Sequence, residues 1–409
     1  MSQQYLTGLD IGTHSLKAVV AEAKNDGELL VKKVLKTPSG GMRRGSIDDL
    51  GEMTRALNIM FGELKKISKQ ALKNLFLNVG GSDTHVQASK GIVAVSRADY
   101  EIQQDDVERA VQASQAINLP PNRMVLHAIT REFVVDGVGD IRDPLGMVGN
   151  RLEVNSLIID SFAPAVKNLT KCVEMAGATV GGLIFTPLAA SRAVLSKNQK
   201  ELGVALIDIG FGTTSLCVYE ENKLVHVAVF PIGSGNITND LAIGLKTSVD
   251  AAEAVKLTFG SASPKGIAGR ENVDLKKIDP TARHNVTRRF IADIIYVRLA
   301  EIFEFVNNEL KVIGKAGKLP VGAMLAGGGA KIPGVVDLVK EELDLPAQIG
   351  IPDLTALEMP SGEVSLQAED PEFVVATGLL LWGKDRLFAD GEGIGVNGWL
   401  KQLLKNLLP

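Results

Sequence analysis

Val204-Ala205-Leu206-Ile207-Asp208-Ile209-Gly210-Phe211-Gly212-Thr213-Thr214-Ser215-Leu216 says again, half a chain later, what Leu6-Thr7-Gly8-Leu9-Asp10-Ile11-Gly12-Thr13-His14-Ser15-Leu16 says near the start. Each copy reads as an apolar strand, a small-residue Gly/Thr/Ser turn and a second β-prone run (Leu16 to Ala23; Leu216 to Tyr219), which together make a β-hairpin. Such turns leave backbone N–H groups open to a ligand. Two of them facing each other would grip a polyphosphate from both sides, each adding one Asp beside a hydrated cation. The plainer alternative is a pair of ordinary hairpins in a duplicated fold. An Asp at the same place in both copies weighs for nucleotide binding.

The chain has 409 residues, 45% hydrophobic and 22% charged, which is a globular composition with room for several core-bearing units. A net charge of −4, with no run of like charge, argues against nucleic acid as a partner. Lys65, Lys66, Lys69 and Lys73 read as the solvated face of a helix. Cys172 and Cys217 lack metal-ligand spacing and read as buried thiols of a reducing compartment. Met1 to Tyr5 lacks the pattern of a secretory signal, and no apolar run reaches the roughly 18 residues of a membrane span. The expectation is a cytoplasmic protein whose membrane contact, if it has one, is peripheral.

Strands and helices alternate along the first unit. A strand near Leu29 to Leu35 follows the hairpin. A helix from about Ile47 to Ser68 carries Leu50, Met53, Leu57, Met60, Phe61 and Leu64 at helical spacing, and Leu75 to Val79 is a strand. This alternation predicts an α/β fold. From Gly80 to about Leu157 the texture changes to that of a small α+β insertion. There Gly91 to Val95 and Phe133 to Gly137 read as strands, and Gln104 to Ile117 as a helix stopped by Leu119-Pro120-Pro121-Asn122. The second unit, opened by the second hairpin, is expected to hold long helices at Asn236 to Gly260 and Asn285 to Val312, a loop over Ser261 to Ala282, a strand at Ala323 to Leu325 and a helix from Pro333 to Leu343. Pro352 to Asp370 reads as loop and Glu372 to Leu381 as a buried helix.

Gly327-Gly328-Gly329, between a strand and the run Lys331-Ile332-Pro333-Gly334, lets backbone come close to a flat or charged ligand with a helix N-terminus behind it. Alone it is a turn; with the two hairpins it points to an adenosine site. Glu253 and Lys256, three apart on one helix face, read as a solvated ion pair or as contacts to a ribose or base edge.

This order of motifs resembles the actin and sugar-kinase superfamily, and within it the chain resembles the FtsA family of bacterial cell-division actin homologues. The specific stretches are Leu119-Pro120-Pro121-Asn122-Arg123, Phe133-Val134-Val135-Asp136-Gly137, Gly139-Asp140-Ile141-Arg142-Asp143-Pro144-Leu145-Gly146-Met147 with Arg151-Leu152-Glu153, and Gly235-Asn236-Ile237-Thr238-Asn239-Asp240. The likeness covers essentially the whole chain. It implies duplicated ribonuclease-H-type units. Subdomain 1A would span 1–79, 161–194 and 352–389, with the inserted subdomain 1C at 80–160. Subdomain 2A would span 195–228 and 305–351, and 2B 229–304. A linker at 390–395 and an amphipathic helix at 396–409 would complete the chain.

The resemblance also implies site roles for ATP and Mg²⁺. Gly12, Thr13, His14, Ser15 and Lys17 would serve the first phosphate loop, and Asp208, Gly210, Gly212, Thr213 and Thr214 the second, with Gly235 and Asn236 nearby. Gly327, Gly328, Gly329 and Lys331 would form the adenosine turn, and Glu253 with Lys256 would meet the ribose and adenine. Asp10 and Asp208 would hold Mg²⁺ through waters. Two departures matter. Many superfamily members read Asp-x-Gly-Gly-Gly-Thr-x-Asp in the second hairpin, where this chain has Phe211 and Ser215. Where active relatives place an acid before Pro, it has Thr186, which cannot accept a proton as a carboxylate can. The expectation is tight ATP binding with slow hydrolysis or none.

In the tail, Val396, Trp399, Leu400, Leu403, Leu404, Leu407 and Leu408 fill one arc of a helix, and Lys401, Gln402, Lys405 and Asn406 the other. So short a helix is marginal in water and needs a surface to bury against. A Gly-rich tether before it and Trp399 favour an in-plane membrane helix over packing on its own domain. The resulting expectation is a division-site protein that polymerises on the cytoplasmic face of the membrane, through contacts that include the insertion. It would bind FtsZ, further copies of itself, membrane lipid and other division proteins. The alternatives are a PilM-like type IV pilus adaptor and a small-molecule kinase of the same fold.

Overall fold

The computed structural model describes residues 4–24, 27–280, 285–360 and 362–390. The chain opens with β1 (Gln4–Ile11), β2 (Ser15–Ala23) and β3 (Leu29–Pro38), followed by α1 (Leu50–Ile67) and β4 (Leu75–Val79). Helix α1 starts where the Asp49 side chain accepts from Glu52 N at 2.9 Å, and it buries Met53, Leu57, Met60, Phe61 and Leu64. Lys65, Lys66, Lys69 and Lys73 are exposed, as a solvated face requires.

The insertion then forms β5 (His85–Ala94), α2 (Gln104–Gln115), β6 (Arg123–Val135), β7 (Val138–Ile141) and β8 (Arg151–Phe162). Its antiparallel sheet runs β5-β8-β6-β7. It has a small core of its own, including Val107, Val111, Phe133 and Leu152. The strand expected over Phe133 to Gly137 ends at Val135. Asp136 (φ 47°) and Gly137 (φ 89°) instead make the two-residue turn into β7, both left-handed as a type I′ hairpin turn requires.

Helix α3 (Ala163–Met175), β9 (Val180–Phe185) and α4 (Thr186–Val194) complete the first lobe, whose sheet runs β9-β4-β1-β2-β3. The second lobe follows with α5 (Lys197–Leu202), β10 (Val204–Ile209), β11 (Thr214–Glu220), β12 (Lys223–Phe230), α6 (Ser234–Leu245), α7 (Val249–Phe259), α8 (Arg288–Val312), β13 (Gly322–Ala326), α9 (Val335–Leu343) and β14 (Ala347–Ile349). Its sheet runs β12-β11-β10-β13-β14. In each lobe the hairpin strand is antiparallel to its partner on one side and parallel to a later strand on the other. The repeated sequence is therefore a repeated topology.

The single helix expected over Asn236 to Gly260 is two helices. Lys246 turns left-handed (φ 51°), and Ser248 caps α7 by accepting from Ala251 N. Short α10 (Glu363–Ala368) lies in the segment read as loop. Helix α11 (Val374–Asp390), longer than the buried helix expected over Glu372 to Leu381, returns to the first lobe. It packs so closely that a Cβ on Gly8 of β1 would lie 2.1 Å from Ala376 O, and one on Gly378 would lie 1.8 Å from Ala189 O of α4. Cys172 and Cys217 are buried free thiols. Among the described residues no helix is long and apolar enough to cross a membrane. The rest of the expected linker, 391–395, and the amphipathic segment 396–409 lie outside the described residues.

Candidate nucleotide cleft

Between the lobes lies a cavity of about 240 Å³, and the two hairpin turns form part of its wall. It is lined by Asp10, Gly12, Thr13, His14, Ser15 and Lys17 from the first lobe and by Asp208, Gly210, Gly212 and Thr213 from the second. Glu253, Lys256, Gly327, Gly328, Gly329 and Lys331 line it as well. The remaining three expected site residues do not. Thr214 is a fully buried strand residue, Gly235 lies beneath the Phe211 ring, and Asn236 Oδ1 accepts from Gly233 N at 3.0 Å to cap α6.

Each turn closes with one short backbone bond, Gly12 N to Ser15 O at 3.2 Å and Gly210 N to Thr213 O at 2.9 Å. Among the described residues the N–H groups of Thr13, His14, Phe211 and Gly212 donate to no acceptor, so four donors stay uncommitted at the two turns. Successive unpaired N–H groups of this kind suit an anion.

Asp10 is held in place. Lys17 Nζ donates to its Oδ2 at 3.0 Å and Asn78 Nδ2 to its Oδ1 at 2.9 Å, while Asn78 Oδ1 accepts from Ile11 N. Burial works against the Lys17 ammonium, yet the neighbouring Asp10, with Glu372 and Asp208, raises its pKa. Asp208, by contrast, has no hydrogen-bond or ion-pair partner for its carboxylate among the described residues. Burial and the nearby Asp10 charge push its pKa up to about 6.

The expected cations are engaged. Lys256 Nζ contacts Thr238 Oγ1 at 2.8 Å, Ser234 O at 3.2 Å and Glu253 Oε2 at 2.7 Å, and burial lowers its pKa against the pull of Glu253. Lys331 reaches across the cleft to Asp370 at 2.7 Å and Glu372 at 2.9 Å. Burial opposes ionisation of Glu372, but Lys36 and Lys331 overcome it and hold its pKa at about 2. Gly327 N also donates across the cleft, to Pro371 O at 3.1 Å.

Sequence reading missed Asn78, Lys36 and Glu372. Asn78 had a signal, as the polar residue of the otherwise apolar strand Leu75–Val79, whose positions are all buried. Lys36 and Glu372 had none, because they meet across most of the chain. Thr186, at the place where active relatives carry an acid, also lines the cavity. Its buried hydroxyl has no hydrogen-bond partner among the described residues, and a Cβ on Gly80 would stand 2.1 Å from it. It offers an alcohol to a water and no carboxylate.

Paired ribonuclease-H-type lobes around such a cleft define an actin-like protein, and solved structures share that fold. PilM in a PilM–PilN type IV pilus biogenesis complex matches with TM-score 0.67 at 20% identity, covering 93% of this chain and 98% of that one. MreB5 of Spiroplasma citri, solved with ADP, matches with TM-score 0.56 at 13% identity, covering 95% and 99%.

Sequence comparison is more specific. The family described as cell division protein FtsA matches residues 205–378, and the SHS2 domain inserted in FtsA matches residues 81–160. Cell division protein FtsA of Bacillus subtilis is 34% identical over 394 residues, covering 96% of this chain and 87% of that protein. FtsA of Pseudomonas aeruginosa is 31% identical with coverages of 97% and 93%, and FtsA of Escherichia coli 29% with 98% and 97%. The chain belongs to the FtsA family of cell division proteins.

Proposed function

We propose that this chain binds ATP with Mg²⁺, polymerises on the cytoplasmic face of the membrane at the division site, and tethers the FtsZ ring there through the amphipathic segment 396–409. What carries the nucleotide part is the cleft itself, with uncommitted N–H donors on both turns and Asp10 and Asp208 in one cavity. With Glu253 and Glu372 these aspartates make four carboxylates on the cavity wall, against Lys17, Lys36, Lys256 and Lys331, so its formal charges balance before any ligand enters. A polyphosphate would unbalance it unless a cation came too.

The residues fit such a cation. Asp208 lacks a positive partner of its own, and no group of three or more His, Cys, Asp or Glu that could hold a metal occurs among the described residues. That suits an ion kept largely hydrated, held through waters by Asp10 and Asp208. Bound there, Mg²⁺ would supply charge neutralisation at the phosphates. The chain's own part is to cradle phosphate oxygens with the N–H groups of both turns, with Lys17 fixing the Asp10 carboxylate. Thr186 can orient a water but cannot take its proton, which supports binding with slow turnover or none.

Membrane attachment rests on the apolar arc from Val396 to Leu408, and polymerisation would add avidity to a weak single anchor. Recruitment of FtsZ, through residues 229–304, and of other division proteins rests on the family. The test is co-sedimentation with anionic vesicles of the full chain and of a chain ending at Gly395, with and without Mg-ATP, then with FtsZ added. The full chain is expected to pellet and to carry FtsZ with it. Equal pelleting of the shortened chain would refute the tether, and vesicle-bound chain that leaves FtsZ in solution would refute the partner.

A further inference from the structure

Phe211 puts a bulky ring where many superfamily members have a glycine, and its surroundings hold that ring in place. The His14 and Phe211 rings stack across the cleft, centroids 4.7 Å apart and planes inclined by 25°. Beside them the two turns already touch, since a Cβ on Gly212 would lie 2.5 Å from Thr13 Oγ1. Phe211 is braced from behind by α6. Gly235 N donates to the Phe211 carbonyl at 2.8 Å, and a Cβ on Gly235 would stand 2.6 Å from Phe211 Cε1. Only a glycine leaves the ring that place. Lys256 Nζ, fixed by its own acceptors, lies 5.4 Å from the ring centroid. His14 is exposed, and both rings line the cavity beside the two turns.

We propose that His14 and Phe211 form a ring lid over the phosphate end of the cleft, closing one lobe on the other and setting how fast a bound nucleoside diphosphate or triphosphate leaves. This deepens the nucleotide reading and rests on it. A braced ring is ordered before the ligand arrives, and its partner sits on the opposite lobe, so opening the cleft parts the stack. The Phe211 ring carries no acid or base, and the stack engages the face of the His14 ring. Their effect falls on residence time.

The experiment is stopped-flow displacement of a fluorescent N-methylanthraniloyl ADP, bound with Mg²⁺, from the full chain and from His14→Ala, Phe211→Ala and the double variant. Losing one stacked pair should speed release about three- to tenfold. Both single variants and the double should show the same increase, because either substitution removes the whole stack, and Phe211→Trp should retain slow release. Unchanged release, or single effects that add in the double variant, would overturn the lid. Tighter binding by Phe211→Ala would make the ring an obstacle to the nucleotide and refute the lid. If the parent chain binds no nucleotide, the reading of the cleft itself fails. The stack is then judged in the free chain by NMR: the His14 ring protons, assigned with His14→Gln, should be shifted upfield by Phe211 and lose that shift in Phe211→Leu. A shift that survives the substitution refutes the pair.

Discussion

Replacing His127 by glutamine should remove an acid-sensitive joint between the insertion and the helix that links the lobes. His127, on β6 of the insertion, accepts from Phe185 N at 3.0 Å and lies against Trp382, ring centroids 5.8 Å apart. Phe185 immediately precedes Thr186 at the cleft, so the bond pins the start of α4. Burial lowers the His127 pKa from 6.5 to about 4, so the folded chain holds the ring neutral where the unfolded chain protonates it. Because the folded state binds fewer protons between those values, stability is full above pH 6.5 and declines as pH falls, levelling off below about 4. At about 1.4 kcal/mol per pH unit the loss is about 2 kcal/mol at pH 5 and about 3 kcal/mol at the plateau, an upper bound for a ring that stays partly accessible. The carboxamide oxygen of the His127→Gln variant can still accept from Phe185 N, and the new side chain does not titrate. Urea unfolding of both chains at pH 7.5, 6 and 5 checks this. The variant should be the weaker by about 1 kcal/mol at pH 7.5, from lost ring packing, and should close or reverse that gap by pH 5. A gap independent of pH would refute the reasoning.

Three further outcomes are expected. Asp208→Asn should abolish the Mg²⁺ dependence of nucleotide affinity while leaving weak metal-independent binding, as measured by titration calorimetry with and without a chelator; retained Mg²⁺ dependence would remove Asp208 from the cation site. Gly378→Ala should destabilise the chain by about 3 kcal/mol or more, because its Cβ would have to occupy space 1.8 Å from a backbone oxygen of α4, and chemical denaturation would read the loss. Lys223→Ala should loosen the insertion where it meets the second lobe. Lys223 contacts Asp140 and, at 3.9 Å, Glu132 of the insertion, so hydrogen exchange should rise in β7 while global stability falls by no more than about 1 kcal/mol.

Much of this architecture was legible along the chain because hairpins, helix faces and glycine turns are local patterns. The paired Asp-Ile-Gly copies announced a duplicated fold, and both sheets bear it out strand for strand. Helix periodicity placed α1 within three residues at either end, the Asp49 cap and the extended Ser68 deciding where it starts and stops. Prediction erred where backbone sign matters. No spacing of apolar residues shows that Lys246 turns left-handed and divides one helix into two, or that Asp136 and Gly137 form a turn.

The site divides in the same way. Residue types alone were enough to nominate two small-residue turns, two aspartates, a glycine run and an amphipathic tail, since each is a short stretch whose chemistry does not depend on distant neighbours. Partnership was settled by folding. Lys331 could equally have faced a ligand, yet it spans the cleft to Asp370 and Glu372; Lys256 could have faced solvent, yet it is buried under the start of α6. Phe211, in a glycine's place, finds its stacking partner in His14 on the opposite lobe. Side-chain partners far apart in sequence are chosen by how the lobes pack, and a local pattern holds no information about which charges burial will force together.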